Sequence, residues 1–123
     1  MKYHTPISWN ELITNDVEGA KKFYGELFGW DLKDENVSDR SYSVAKSYNT
    51  EVAGIMQTPE GAEGLPPQWG AYVTVEDVDA SANKVIELGG TVLLPAKDVP
   101  GVGRLCVVAD PQGATISMIS YSE

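Results

Sequence analysis

Cysteine and histidine are the residues that this sequence has least of, and each occurs once, at Cys106 and His4. A single cysteine excludes an internal disulfide, and its apolar neighbours predict a buried thiol on a strand. With one histidine and one cysteine there is no Ser-His-Asp or Cys-His set for nucleophilic catalysis. A lone histidine near a terminus is more typical of a solvated or capping residue than of a metal ligand.

Positive charge is also scarce, because 9 Lys and Arg residues stand against 18 Asp and Glu residues, for a net charge of −9. Nucleic acids and anionic membrane surfaces bind clustered cations, so neither partner is expected. No apolar run approaches the ~20 residues of a membrane-spanning helix. The first residues contain no long apolar stretch after Lys2, so a secretory signal is not expected. These features favour a reducing cytoplasm and a small partner that is not a polyanion.

What the sequence does contain is one pattern that occurs twice, 61 residues apart and without a gap. The shift superposes Asp16-Val17 on Asp77-Val78, Leu27 on Leu88, Gly29 on Gly90, Val44 on Leu105, Ala53 on Ala114 and Ile55 on Ile116. A unit of this length does not bury its own apolar face, so the two copies are expected to share one core. We therefore expect a single domain over 1–123, with module one at about 5–57, a Pro- and Gly-rich linker at 58–68 and module two at about 69–121.

Each copy predicts the element order β-α-β-β-β. The first copy predicts an alternating strand at 7–14, a helix from a cap at Asn15 or Asp16 to Phe28, and strands near 30–33, 41–47 and 52–57. The second copy predicts a strand at 69–75, a helix after Asp77 or Asp79, and strands near 91–94, 103–109 and 114–120. Glycines are expected to end both helices, at Gly29 and at Gly89-Gly90.

Helical spacing assigns an inward-facing apolar set to each predicted helix. For the first helix this set is Val17, Ala20, Tyr24, Leu27 and Phe28, and for the second it is Val78, Ala82, Val85 and Ile86.

Four segments occur in an order that is typical of one protein family: FYGELFGW (23–30), VEDVDA (75–80), ELGG (87–90) and DVPGVGRLCVVADPQGA (98–114). Together with the paired βαβββ units they resemble the vicinal oxygen chelate superfamily, which includes glyoxalases, bleomycin-resistance proteins and extradiol dioxygenases. The strings WNEL (9–12) and PPQWGAY (66–72) look most like its uncharacterised glyoxalase-like branch, whose domains often occur in tandem. The resemblance covers nearly the whole chain. It implies an α+β fold in which two βαβββ modules form a cupped, incompletely closed mixed β-barrel with helices outside.

The resemblance also implies where metal-using members hold a divalent ion, on two positions in each module. One lies seven residues before the Asp that starts the helix, and the other lies in the last strand, four residues after the Gly of the DPxG turn. Transferred to this sequence, the positions are Trp9, Met56, Gly70 and Ser117. None of these is a charged or imidazole ligand, so neither a metal site nor another cofactor is expected. A divalent metal remains possible if the assignment is displaced, although a one-residue slip turns every strand side chain to the opposite face.

A cupped sheet of this kind is expected to bind its ligand through an aromatic lining with few polar groups, which suits a small organic molecule. The residues assigned to ligand binding are Trp9, Glu11, Met56, Trp69, Gly70, Tyr72, Arg104 and Ser117. The cup is either open or filled by Trp9, and a carboxylate at Glu11 favours the open form because a buried, unpaired charge is costly. Arg104 is a partner of Glu11, a rim residue for an anionic ligand, or an ordinary surface charge.

Three functions are compatible with these residues. The first is a metal-independent protein that binds an aromatic or amphipathic molecule, as the drug-resistance branch of the superfamily suggests. The second is an enzyme, either a metal-dependent lyase, isomerase or dioxygenase, or a metal-free acid/base catalyst with Glu11 and Tyr72 as catalytic residues. The third is an interaction module with a filled pocket. A homodimer is expected in any case, because short duplicated sheets leave edges to cover and related chains often pair edge to edge.

Overall fold

A computed structural model of the chain describes residues 7–37, 40–99 and 102–121, so His4 lies outside the described residues. The elements are β1 (Ile7–Thr14), α1 (Val17–Phe28), β2 (Asp31–Val37), β3 (Arg40–Ser47), β4 (Thr50–Gln57), β5 (Gln68–Thr74), α2 (Val78–Glu87), β6 (Thr91–Val99), β7 (Gly103–Ala109) and β8 (Thr115–Tyr121). The predicted α+β class and the repeated βαβββ order are confirmed. Within the described residues, neither helix has the length and apolar character that a membrane crossing requires.

The chain divides into two compact units, and each contains one mixed sheet. Within the described ranges the first unit is Trp9–Trp69, and the second is Gly70–Glu123 together with Met1–Ser8. Strand order in the first is β2-β3-β4-β1, and in the second β6-β7-β8-β5. In each sheet the first three strands of this order pair antiparallel with one another, and the last strand pairs in parallel with the third. The two units therefore repeat one topology.

The core of the first unit lies between α1 and its sheet. Leu12, Val17 and Ile55 are buried together there, and Ala20, Tyr24 and Leu32 pack against them half-buried. The helix begins where predicted, since the Asp16 side chain accepts a hydrogen bond from the backbone N–H of Gly19, and it ends at Gly29 with φ of 71°. That left-handed conformation is one that glycine adopts without strain.

The core of the second unit has the same plan on the α2 side of its sheet. Val78, Cys106, Val108 and Met118 are buried together, and Asp77 caps the helix by accepting from the backbone N–H of Ala80. The thiol of Cys106 is fully buried, as its apolar neighbours predicted. Burial and the nearby Asp79 charge raise the pKa of that thiol.

Three residues predicted to face the cores are exposed instead: Leu27 by 58%, Phe28 by 56% and Ile86 by 57%. An α-helix turns by about 100° per residue, so Leu27 is rotated by about 60° from Tyr24, and Ile86 by about 100° from Val85. Phe28 is the last residue of α1, beyond the part of the helix that packs on the core. The prediction of an inward position is wrong for Leu27 and Ile86 because the buried stripes are narrower than the apolar pattern, and it is wrong for Phe28 because the helix ends there.

β6 is longer than the strand predicted near 91–94, since it continues to Val99. Its pairing with β7 is irregular at two places, between Val92 and Leu94 and between Leu94 and Lys97. Pro95 lies in this stretch and is exposed. A proline and bulges are tolerated on the edge strand of a sheet, where they do not interrupt a second ladder.

These irregularities change the register of the repeat. Glu11 pairs with Gly54 across the parallel β1–β4 ladder, and Tyr72 pairs with Ser117 across β5–β8. Glu11 and Tyr72 are 61 residues apart, but Gly54 and Ser117 are 63 apart. The prediction of a gap-free repeat is therefore wrong for the later strands, because the second copy takes up two extra residues before β7. Ser117 corresponds to Gly54 and not to Met56.

Candidate functional site

The face of the first unit's sheet that points away from α1 carries several of the predicted ligand-binding residues. Strand pairing aligns Glu11 with Gly54, and it aligns Met56 with both Ile13 and Tyr42. These side chains alternate with Leu12 and Ile55, which point to α1. We call this surface the helix-free face of the first unit.

Trp9 and Tyr42 are joined on this face by a hydrogen bond. The indole Nε1 of Trp9 donates to the phenol oxygen of Tyr42 over 3.0 Å. The Tyr42 ring lies over Gly54, where a Cβ atom would overlap the phenol oxygen and the adjoining ring carbon. Glycine at position 54 therefore gives the Tyr42 ring the space it occupies.

Glu11 lies beside Gly54 in the β1–β4 ladder and is only 7% exposed. Trp9 is half-buried. Met56 is 7% exposed and closes the set on β4. The helix-free face thus combines two aromatic rings with polar tips, one thioether and one buried carboxyl group. Groups of this kind stack on a planar organic molecule and orient it through a few polar contacts.

The second unit has a corresponding helix-free face with different chemistry. Tyr72 and Ser117 are neighbours across the β5–β8 ladder and are 6% and 7% exposed. Gly70 precedes Tyr72 by two residues, so it belongs to the same face and is half-buried. The second unit therefore has a phenol and a hydroxyl at the two positions that hold a carboxyl group and a glycine in the first.

Two of the predicted ligand-binding residues lie on the helix sides of their units. The indole of Trp69 donates to the hydroxyl of Tyr24 on α1 over 3.1 Å. Arg104 makes two hydrogen bonds to Asp79 on α2, of 2.8 and 2.9 Å, and one of 3.1 Å to Asp98. Trp69 is therefore not part of the group on the helix-free face of the first unit. Arg104 does not lie with Tyr72 and Ser117 on that of the second.

The ion pair at Arg104 has a clear electrostatic signature. Hydrogen bonds from the guanidinium hold the pKa of Asp79 below its usual value, and the two carboxylates raise the pKa of Arg104. Arg104 and Asp79 are 36% and 59% exposed. Pairs this accessible are screened by water, so this one fastens β7 to α2 only modestly.

The residues at the superfamily's metal positions do not fit a metal ion. With the corrected register these positions are Trp9, Gly54, Gly70 and Ser117, and they include no carboxylate, imidazole or thiolate. Across residues 7–37, 40–99 and 102–121, no three or more His, Cys, Asp or Glu side chains converge as a metal site would require. A hard or borderline dication binds such ligands, so no chemical step here is assigned to a metal.

Tyr42 is a member of the site that sequence reasoning missed. Alternation along β3 places Tyr42, Val44 and Lys46 on one face, and that signal was available in the sequence. What the sequence could not supply was the register between β3 and β4, which puts Tyr42 opposite Met56 and over Gly54.

The family model described as "Glyoxalase/Bleomycin resistance protein/Dioxygenase superfamily" matches residues 7–118. The chain belongs to this glyoxalase superfamily. The resemblance inferred from the four ordered segments is thereby confirmed. Because family and fold are compatible with many activities, the reaction and the ligand must be argued from the site.

Several relatives of this glyoxalase-superfamily chain are known. It is 43% identical over 114 residues to "Putative glyoxylase CFP32" of Mycobacterium tuberculosis, and 32% identical over 126 residues to "Anthracycline biosynthesis protein DnrV" of Streptomyces peucetius. Each alignment covers 90% of this chain but only 44% and 45% of the relative, so the chain spans less than half the length of these proteins.

A solved structure of methylmalonyl-CoA epimerase from M. tuberculosis superposes with a TM-score of 0.61 over 100% of this chain and 94% of the epimerase. The two sequences are 15% identical, so the likeness establishes the fold alone.

Proposed function

We propose that this protein binds a small aromatic or amphipathic molecule without a metal ion, and that Trp9, Glu11 and Tyr42 form the centre of the binding surface. The observation that carries the proposal is the Trp9–Tyr42 hydrogen bond of 3.0 Å, which fixes two aromatic side chains beside a buried carboxyl group. Fixed rings lose little side-chain entropy when a planar ligand stacks on them.

Two further facts support this class of ligand. Glu11, at 7% exposure, adds a buried carboxyl group to a surface of aromatic side chains, and small-molecule sites typically combine an apolar lining with few polar groups. One relative at 32% identity is named for anthracycline biosynthesis, and anthracyclines are fused-ring aromatic compounds with a polar substituent. The other residues on the helix-free faces, Met56, Gly70, Tyr72 and Ser117, remain proposed contacts.

Titration calorimetry with an anthracycline as the probe tests the site. Trp9→Phe and Tyr42→Phe each remove the hydrogen bond but keep a ring, and we expect each to weaken binding about tenfold. Trp30→Phe is the matched control, because Trp30 stacks with Tyr24 on the helix side of the same unit. Equal affinity for the wild type and both site variants would remove these residues from the site. A wild type that binds neither this probe nor smaller fused-ring compounds would refute the ligand class.

A metal-free acid/base enzyme is the second candidate, and it is favoured by the burial of Glu11. A carboxyl group removed from water is one that a protein can use to accept or donate a proton. Glu11→Gln separates the two candidates, because it preserves shape and hydrogen bonding but cannot exchange a proton. Turnover that is lost while ligand affinity is kept would establish catalysis, whereas unchanged turnover would remove Glu11 from any mechanism.

Metal independence is tested by counting zinc, nickel, manganese and iron per chain in protein purified without chelators or an affinity tag. We expect a value near zero that persists after incubation with these ions and desalting. A value near one would instead support a metal-dependent lyase, isomerase or dioxygenase.

We also propose that the protein is a cytoplasmic homodimer. The fully buried, reduced thiol of Cys106 is compatible with a reducing compartment, and cell fractionation tests the location. A solution mass near 13.3 kDa, that of one chain, would contradict the homodimer.

A further inference from the structure

Helix α1 has a second, outward surface that the core of its unit does not use. Gly19, Lys22, Phe23, Glu26 and Leu27 follow one another at the spacing of a single helix face and line a shallow groove of about 470 Å³. Phe23 and Leu27 are each 58% exposed on this surface. We call these five residues the outer α1 face.

The repeat shows that the fold does not require this apolar surface. With the 61-residue shift that holds for the helices, Phe23 of α1 corresponds to Lys84 of α2. Lys84 is exposed and lies 3.9 Å from Glu87 in a surface ion pair. The same helix in the same topology therefore carries a solvated lysine in one unit and an exposed phenylalanine in the other.

The exposed apolar area is a large part of what a protein interface needs. Phe23 and Leu27 are each 58% exposed, and Trp69, which lines the neighbouring groove with Phe23, is 39% exposed; together they present about 300 Å² of mostly apolar surface. A standard interface buries about 800 Å² per partner, of which somewhat more than half is apolar. The region therefore supplies about two-thirds of the apolar surface that one side of such an interface needs.

The charges beside the groove identify the partner. Lys22 and Glu26 are one turn apart on the same flank of α1, and neither forms an ion pair within the part of the chain that the structure describes. If two α1 helices pack antiparallel about a two-fold axis near Gly25, Lys22 meets the partner's Glu26 and Phe23 meets the partner's Leu27. Both contacts then occur twice, as an isologous interface requires.

We infer that the outer α1 face binds a second copy of this chain through antiparallel α1–α1 packing. The inference rests on the proposed homodimer and names its surface, and it does not depend on the proposed ligand. It also differs from edge-to-edge pairing, for which the edge strands β2 and β6 are poorly suited. β2 carries four charged residues in seven, and β6 has Pro95 and two irregularities.

Sedimentation equilibrium of the full chain tests the surface through one substitution on α1 and one at the C-terminal end of α2. Phe23→Lys introduces the residue that α2 has at this position, and because it removes two symmetric contacts we expect the dimer dissociation constant to rise at least about 100-fold. Leu88→Lys, at the C-cap of α2, is the control, since Leu88 is 68% exposed and corresponds to Leu27; we expect it to leave the constant within about twofold.

A charge exchange tests the antiparallel geometry. Lys22→Glu and Glu26→Lys each place like charges together twice and should each weaken the dimer about tenfold. The double variant restores opposite charges and should return to within about threefold of the wild type. Absence of this rescue would overturn the antiparallel packing.

The remaining outcomes are equally decisive. A dimer that Phe23→Lys does not weaken, or that Leu88→Lys weakens as strongly, would overturn the surface while leaving the homodimer standing. A wild-type mass of 13.3 kDa at all concentrations would overturn both. Titration of the same variants with the anthracycline probe reports on the ligand proposal separately.

Discussion

Gly54 is the position at which the arrangement of the proposed site is most sharply tested. A Cβ atom there would overlap the hydroxyl and ring of Tyr42, which lies across the glycine. The clash is with the end of a side chain and not with backbone, so in Gly54→Ala the Tyr42 ring should move away. Its hydrogen bond with Trp9 would then be lost.

The expected cost follows from three contributions. Overpacking in a filled region costs about 1–3 kcal/mol, and the lost hydrogen bond costs about 1 kcal/mol. Replacing glycine by alanine in a strand returns about 0.5 kcal/mol through the unfolded state. We therefore expect Gly54→Ala to lower the free energy of unfolding by about 2 kcal/mol. In a Tyr42→Ala background the obstacle is absent, and the same change should be neutral or slightly stabilising.

Urea unfolding of the four proteins in this cycle measures the coupling, provided that the slope m is unchanged. Gly64→Ala is the matched control, since a Cβ at position 64 meets nothing within 4 Å, and it should change stability by less than about 0.5 kcal/mol. The expected coupling between Gly54 and Tyr42 is about 2 kcal/mol, and a value below about 0.5 kcal/mol would refute the packing of Tyr42 over Gly54. Gly54→Ala should also weaken binding of the anthracycline probe.

Three other predictions concern stability and reactivity. Because Arg104 lowers the folded-state pKa of Asp79, this pair stabilises the protein above the unfolded pKa near 4, and the contribution is lost as pH falls through the folded pKa. Urea unfolding from pH 7 to pH 2.5 should therefore show that Arg104→Met is less stable than the wild type at pH 7 and equally stable at low pH. A stability difference that stays constant with pH would contradict this. The buried thiol of Cys106, with its raised pKa, should react with Ellman's reagent at least about 100-fold more slowly in the native protein than in urea, and comparable rates would contradict its burial. Asp16→Ala and Asp77→Ala each remove a helix cap and should each lower the unfolding free energy by about 1 kcal/mol, with a loss below about 0.3 kcal/mol counting against the capping role.

The features that the sequence predicted well are those fixed by local chemistry. Asp16 and Gly29 bound α1 because one side chain caps backbone N–H groups and the other residue adopts positive φ freely. Alternation identified β7 as Gly103–Ala109 with its predicted bounds. The family was evident because its ordered segments extend over most of the chain.

The features that were missed depend on non-local pairing. The strand predicted near 91–94 stops short of Pro95, whereas β6 continues to Val99, because an edge strand tolerates proline. The two additional residues in β6 shift the register between the two copies. The sequence therefore matched Met56 to Ser117, whereas the residue that corresponds to Ser117 is Gly54. Tyr42 was overlooked for the same reason, since its place over Gly54 is set by strand register and not by sequence spacing.

The irregular β6 strand has a practical consequence for protein engineering. The second copy holds two more residues than the first before its third strand, and the pairing of Gly54 with Glu11 and Val44 in the first unit still recurs as that of Ser117 with Tyr72 and Val107 in the second. An edge strand can thus lengthen by bulging, because only one of its ladders must adjust. The corresponding stretch of β2 should accept a two-residue insertion, and a short peptide tag placed there or within β6 would be tolerated better than one placed in any central strand.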